Sequence, residues 1–169
     1  MKLVIIRHGQ AGDRGEWEAR GRDDRLRPLT PEGKKETGRA AAGLAVLVPH
    51  IDVLATSPLV RAVETAAIVA STYDCEIVPL DVLVPDRTPD EVVRWLRDQR
   101  PAQTVALVGH EPHLSTLVGY LLTERRTSFI DLKKGGACLL ELTQPPEPGG
   151  GILEWLLTRG QLCRVGEAG

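Results

Sequence analysis

Residues Leu3-Val4-Ile5-Ile6 form an unbroken apolar run rich in β-branched side chains. A strand with one face in water alternates apolar and polar residues. A strand covered on both faces need not, so this run predicts an interior strand of a parallel sheet. It stops abruptly at Arg7-His8-Gly9. A guanidinium and an imidazole held at the end of a buried strand, followed by a glycine that lets the backbone turn closely, point to a site for an anion and a nucleophile.

Strand-like and helix-like segments alternate through most of the chain. After the first strand, Gln10 to Pro28 is polar, densely charged and without periodicity; loops of this length are uncommon in compact domains and are often functional. Thr30-Pro31 supplies an N-cap and a first-turn proline for a helix to about Val48, with Ala40, Leu44 and Leu47 on one face. Asp52–Thr56 is a second strand. Ser57-Pro58 repeats the cap-then-proline signal for a helix to about Ser71. One or two short strands are expected within Cys75–Leu83. Thr88-Pro89-Asp90-Glu91 is a capping box, and its helix carries Val92, Val93 and Leu96 and ends near Arg100-Pro101. Thr104–Val108 is another buried strand, broken at Gly109, and Pro112 opens a helix through about Leu122. Ala137–Leu142 and Ile152–Leu157 read as a hairpin across the Pro/Gly-rich connection Thr143–Gly151. The pattern predicts one α/β domain spanning residues 1–169: a three-layer α/β/α sandwich with a mostly parallel central sheet and an antiparallel C-terminal hairpin.

Composition narrows the function. The 169 residues, 42% of them apolar, suffice for one well-buried core, and the scarcity of aromatics makes that core Leu, Val, Ile and Ala. A formal charge of −2 argues against a general nucleic-acid binder while leaving room for a local basic pocket. The apolar run after Lys2 is too short for a signal peptide or a membrane span, so no membrane partner is expected. Cys75, Cys138 and Cys163 are odd in number, far apart and without a C-x-x-C pair, which predicts reduced, buried thiols in a cytosolic protein and no zinc site.

The chemically unusual residues fall at strand-to-helix junctions. The first strand delivers Arg7 and His8. The second is followed by Ser57-Pro58-Leu59-Val60-Arg61, which puts Arg61 in the first turn of its helix. The Thr104–Val108 strand delivers Gly109-His110-Glu111-Pro112. Ligands of open parallel sheets sit beyond the carboxyl ends of the strands. If these strands are neighbours, Arg7, His8, Arg61 and His110 converge, and nearby helix N-termini add free backbone donors. Two guanidiniums offer forked donors matched to phosphoryl oxygens, and two imidazoles offer a nucleophile, a donor or an acid/base. No aspartate-rich motif is available for magnesium, and adjacent arginines repel a metal cation, so neither a metal nor another cofactor is called for. The set suits metal-free phosphoryl transfer. One neutral histidine attacks phosphorus to give a phosphohistidine, the other cations stabilise charge on the equatorial oxygens, and water then releases inorganic phosphate.

Arg7-His8-Gly9 after a first strand, Ser57-Pro58 followed by Arg61-Ala62 and Thr65-Ala66, and Gly109-His110 after a later strand together resemble the three signatures of the histidine phosphatase superfamily, with its phosphoglycerate mutase-like fold. The resemblance covers residue 1 to about 122. It implies that His8 is the phosphorylated nucleophile and that Arg7, Arg61 and His110 complete the phosphate pocket. The short chain, Gly109-His110-Glu111-Pro112 and Lys133-Lys134-Gly135-Gly136-Ala137 look like the small SixA-type phosphohistidine phosphatases. That likeness implies a phosphorylated histidine-containing phosphotransfer domain of two-component signalling, or another phosphoprotein, as partner. Mutases and many phosphatases of this fold carry a glutamate general acid after the third strand. Here Leu80–Asp86 reads Leu-Asp-Val-Leu-Val-Pro-Asp, without one. An alkoxide leaving group needs such an acid. An imidazole, with an unperturbed pKa of about 6.5, needs it less, because it can be protonated on its distal nitrogen and leave neutral. The gap favours a phosphoramidate substrate, although Asp81, Asp86, Glu111 or Asp13 could be brought in by a loop.

The remaining candidates carry two readings each. Gln10 follows the nucleophile turn and is either a phosphate contact or a loop residue. Glu111 either touches the site or caps the following helix. Ser57 reads as a helix cap and as a substrate-pocket residue. Thr65, one turn after Arg61, is expected to pack or orient, and His50 and His113 are expected at the surface. Lys133 and Lys134 form a solvated turn or dock an acidic partner, and Trp17 packs locally or meets a protein substrate. Two rival functions remain beside the phosphohistidine phosphatase: a small-molecule phosphomonoester phosphatase and a non-catalytic phosphate-binding module.

Overall fold

The computed structural model describes residues 1–168. Six strands form one sheet: β1 (Lys2–Arg7), β2 (Val53–Thr56), β3 (Ile77–Pro79), β4 (Thr104–Gly109), β5 (Ala137–Leu142) and β6 (Gly151–Leu157). Their spatial order is β3-β2-β4-β1-β5-β6. The first four are parallel, and β5 pairs antiparallel with both β1 and β6. The helices are α1 (Arg14–Ala19), α2 (Pro31–Leu47), α3 (Val60–Tyr73), α4 (Pro89–Arg97), α5 (His113–Thr123) and α6 (Arg159–Ala168). This is the expected three-layer sandwich.

The unbroken apolar run of β1 is explained by its two neighbours in depth. Leu3 and Ile5 pack with Val92, Val93 and Leu96 of α4 and with Leu114, Leu117 and Leu121 of α5. Val4 and Ile6 pack on the opposite face with Ala40 and Leu44 of α2, Ala62, Ala66 and Val69 of α3, and Leu162 of α6. Fully burying each such side chain stabilises the fold by roughly 1.5–3 kcal/mol before entropy is counted. The helices that follow β1 and β4 thus lie on opposite faces of adjacent strands, and a crevice opens between their ends.

Local signals set several boundaries. Thr30 caps α2 by accepting from the Gly33 N–H at 2.9 Å, with Pro31 in the first turn. The Glu91 carboxylate accepts from the Thr88 N–H at 2.9 Å, which closes the capping box of α4.

Other expectations are corrected. Gln10–Pro28 is not structureless: Asp13 caps the short α1, and Asp24–Leu26 makes a 3-10 turn capped by Asp23. Cys75–Leu83 holds one strand, within the expectation, and then an unforeseen 3-10 turn, Asp81–Leu83. Helix α4 ends at Arg97, short of Arg100. Leu47 lies off the buried face of α2 and is exposed. His113 is buried rather than at the surface, while His50 is exposed and bonds Asp52. Cys138 and Cys163 are buried, but Cys75 is only partly so.

Helix α6 was not expected. It lies on α2 at a close crossing, where a Cβ on Gly43 would stand 1.8 Å from the Leu162 carbonyl oxygen. Among the described residues, no helix is long and apolar enough to cross a membrane.

Candidate active site

Sheet register brings the chemistry together. Arg7 of β1 pairs with Gly109 of β4, and Thr56 of β2 pairs with Val108. The residues immediately after these strands, His8, His110 and Ser57, therefore emerge side by side. The His8 N–H donates to the Gly109 carbonyl at 3.1 Å, and the Ser57 N–H to Val108 at 3.0 Å. The His8 and His110 rings lie 5.1 Å apart at 51°.

The nucleophile turn is held from three sides. Gly9 approaches α2 so closely that a Cβ would meet the Thr37 Oγ1 at 2.3 Å. The Gly9 N–H donates to Thr65 Oγ1 at 3.0 Å, and that hydroxyl donates to the Arg61 carbonyl at 2.7 Å. Thr65 thus ties the turn bearing His8 to the turn of α3 bearing Arg61. Opposite, the Gly135 N–H reaches the Arg7 and His8 carbonyls at 3.1 and 3.0 Å.

His8 Nδ1 lies 2.8 Å from the Gly9 carbonyl oxygen, which can only accept. Nδ1 therefore carries the proton, and Nε2 of the neutral ring carries the lone pair. Burial is the main reason the His8 pKa falls from 6.5 to about 3; the Gly9 bond opposes this, while Arg61, Arg7 and Lys134 add to it. Desolvation outweighs the arginines. His110 falls to about 3 for the same leading reason, helped by His8 and Arg61.

Arg7, His8, Arg61, His110 and Glu111 all line one cavity of about 470 Å³. Arg14, Arg25, Arg27 and Lys134 add positive charge to its wall, against Asp24, Asp86 and Glu111. A hollow of about 690 Å³ lies elsewhere, at Arg97, Tyr120 and Arg126, but no histidine lines it. Chemistry rather than size singles out the site. Three buried nitrogens on its wall residues lack a partner: Arg7 Nε, Arg61 Nε and His110 Nδ1. Buried polar nitrogens are rarely left unsatisfied, and an oxyanion in the cavity offers the acceptors that the two guanidinium N–H groups lack.

Other nitrogens of the two guanidiniums are engaged. Arg7 Nη1 donates to the Leu132 carbonyl at 2.9 Å. Arg61 Nη1 donates to the Asp24 carbonyl at 2.8 Å, and its Nη2 lies 3.2 Å from Asp24 Oδ2. Asp24 also accepts from Arg27 Nε at 2.7 Å. Burial pushes the Asp24 carboxyl upward, but Arg27 and Arg61 outweigh it and hold the group below its usual range.

Two candidates fall outside the cavity wall. Gln10 is exposed, and its amide donates to the Ala11 carbonyl at 3.2 Å. Its own carbonyl is pressed against α2, where a Cβ on Gly33 would lie 2.1 Å away. Ser57 is fully buried behind His110 and bonds its Nε2 at 2.8 Å. It is no helix cap: α3 starts at Val60 with Leu59 at the N-cap and no side-chain cap bond. Glu111 lines the cavity, and its carboxylate accepts from the Ser115 N–H at 3.1 Å and from the Ser115 hydroxyl. Burial pushes its carboxyl up, against the pull of Ser115 and Arg7. Trp17 packs locally, donating to the Asp23 carbonyl at 2.9 Å beneath the Arg22 guanidinium. Asp24, Arg14, Arg25 and Arg27 were not singled out beforehand. The only signal was the charge density of their segment, which does not say which charges face inward. Among the described residues, no group of three or more His, Cys, Asp or Glu is placed to hold a metal ion.

Residues 3–84 match the family model of the histidine phosphatase superfamily (branch 1). An uncharacterized protein of Picosynechococcus sp. is 32% identical over 142 residues, covering 80% of this chain and 82% of that one. The chain belongs to the histidine phosphatase superfamily. It is accordingly an enzyme of the phosphatase class. Solved structures share the fold across nearly the whole chain. The protein histidine phosphatase SixA complexed with tungstate superposes with a TM-score of 0.81 at 23% identity, covering 96% of this chain and 99% of that one. A phosphoserine phosphatase mutant from Entamoeba histolytica, in complex with phosphoserine, gives 0.72 at 18% identity, covering 95% and 98%.

Proposed function

We propose that this histidine phosphatase hydrolyses phosphohistidine on a partner protein through a phosphoenzyme formed on His8. The observation that carries the choice of substrate is the state of the carboxylates around the cavity. Asp24 is committed to Arg61 and Arg27, and Glu111 to Ser115. Asp86 is exposed at the edge. None is a buried, uncommitted acid suited to protonating an alkoxide, whereas a departing imidazole takes its proton on the distal nitrogen and leaves neutral. Shared fold with SixA along its length supports the same reading.

In this reading Nε2 of neutral His8 attacks phosphorus in line as the substrate P–N bond breaks, and the bonding pair leaves with the substrate imidazole. Arg7, Arg61 and His110 donate to the equatorial oxygens, which gather charge in the transition state. Water then attacks phosphorus of the phosphoenzyme. The P–N bond to His8 breaks, inorganic phosphate departs, and the neutral ring is restored. His8→Ala should abolish turnover and the acid-labile phosphate label on the enzyme; a labelled, active variant rules the scheme out.

Asp86 at the cavity edge favours a second reading, hydrolysis of small phosphomonoesters, in which this carboxyl protonates the leaving oxygen. Rates on a phosphohistidine peptide and on a panel of phosphate esters separate the two. The ester reading requires Asp86→Asn to lower ester turnover by about 100-fold, the scale of general acid catalysis, and the phosphohistidine reading requires little change on the peptide.

A further inference from the structure

A second basic hollow, of about 410 Å³, adjoins the phosphoryl cavity. Its wall is Arg7, Lys133, Lys134, Thr158, Arg159 and Gly160: four cations and no carboxylate. Arg7 and Lys134 line both spaces, so the two share a wall. The chain as a whole is formally −2, so this concentration of positive charge is local.

The fold builds it deliberately close to the nucleophile. Lys133 and Lys134 precede Gly135, whose N–H holds the Arg7 and His8 carbonyls. The stem of Arg159 lies on Gly135, where an added Cβ would stand 3.3 Å from Arg159 Cγ and Cδ. Lys133 pairs with Asp131, and Arg159 with Glu36 at 2.5 Å, both outside the wall. Among the described residues, Arg7 and Lys134 have no carboxylate within 4.0 Å. Burial first, and then the neighbouring Arg7 and Arg27, lower the Lys134 pKa against the pull of Asp13. Lys133, Thr158 and Gly160 are exposed, so the hollow is a shallow surface depression, which suits a side chain presented by a macromolecule better than an engulfed small molecule.

We propose that this hollow receives an acidic side chain of the phosphoprotein substrate, carried beside its phosphohistidine, so that the enzyme selects phosphohistidines with Asp or Glu neighbours. The inference rests on the phosphohistidine reading above and adds the chemistry of the partner surface to it.

Two synthetic phosphohistidine peptides test it, one with glutamates flanking the phosphorylated residue and one with glutamines there. The native enzyme should prefer the glutamate peptide in kcat/KM by about tenfold at low salt, through KM, with the preference shrinking as salt is added. Lys133→Glu and Arg159→Glu should each reduce that preference or reverse it and leave turnover of phosphoramidate unchanged. Lys133→Glu stands alone if loss of the Arg159–Glu36 pair loosens α6. Equal rates on the two peptides, or a preference that survives both substitutions, overturn the inference while leaving the phosphohistidine reading intact. Hydrolysis of phosphate esters with neither peptide cleaved overturns both.

Discussion

At the scale of single residues, the site is a set of donors fixed by short hydrogen-bond chains. Ser57 bonds His110 Nε2 from behind, so the imidazole reaches the cavity with Nδ1 free. Ser57→Ala should leave the fold intact, because besides His110 the hydroxyl holds only a long 3.4 Å bond from the Leu59 N–H, but should lower kcat by about tenfold or more through a misoriented ring. Steady-state kinetics beside a thermal melt checks this, and a kcat equal to the parent's would remove the positioning role. Gly9→Ala acts differently. Its Cβ would meet Thr37 Oγ1, the end of a stiff β-branched side chain inside α2, at 2.3 Å. Relief requires the nucleophile turn or α2 to move, at a cost of about 1–3 kcal/mol in urea unfolding, with turnover falling too. Arg7, His8, Arg61 and His110 were legible because each interrupts an apolar or capping pattern where no structural need asks for a cation. Asp24 and Arg27 were not, since in a run of mixed charges nothing local distinguishes the inward-facing members.

At the scale of elements, helices with strong end signals were readable and α6 was not. Thr30-Pro31 and the Thr88–Glu91 box announce their helices, whereas Arg159–Ala168 contains two glycines and buries only Leu162 and Cys163. Those glycines lower helix propensity, yet Gly166 is where α6 meets α2: its Cβ would lie 2.8 Å from the Gly43 nitrogen. The gain is in close helix contact, which no local pattern displays. Gly43→Ala places a methyl against the Leu162 carbonyl, which cannot yield without moving α6. The expected result is a loss of about 1–3 kcal/mol or more in stability and faster reaction of the buried Cys163 thiol with a disulfide reagent. Unchanged thiol kinetics would show that the crossing tolerates the methyl.

At the scale of the whole molecule, the two imidazoles of the site are held neutral at a cost to stability in acid. Unfolded, His8 and His110 titrate at their ordinary 6.5; folded, both sit at about 3. Between those values the unfolded chain binds more protons, so stability falls as pH drops from 6.5 towards 3 and this contribution levels off below that. Buried His113 is lowered too and adds in the same direction. The urea midpoint of the native protein should therefore drop through this window. A double variant, His8→Ala with His110→Ala, should show a shallower slope; equal slopes would mean that these rings do not carry the effect. Ring proton signals of His8 and His110 should likewise hold their neutral positions from about pH 7 to 5.

The amino-acid order alone determined the alternation of strands and helices and the placing of Arg7, His8, Arg61 and His110 at their ends, because burial periodicity and capping are local and leave a local trace. Tertiary structure decided the rest. Strand order and the Arg7–Gly109 register set which ends meet. Long-range packing turned Gln10 outward, put Ser57 behind His110, drew Asp24 onto Arg61 and laid α6 on α2, since those outcomes depend on contacts between residues far apart in the chain.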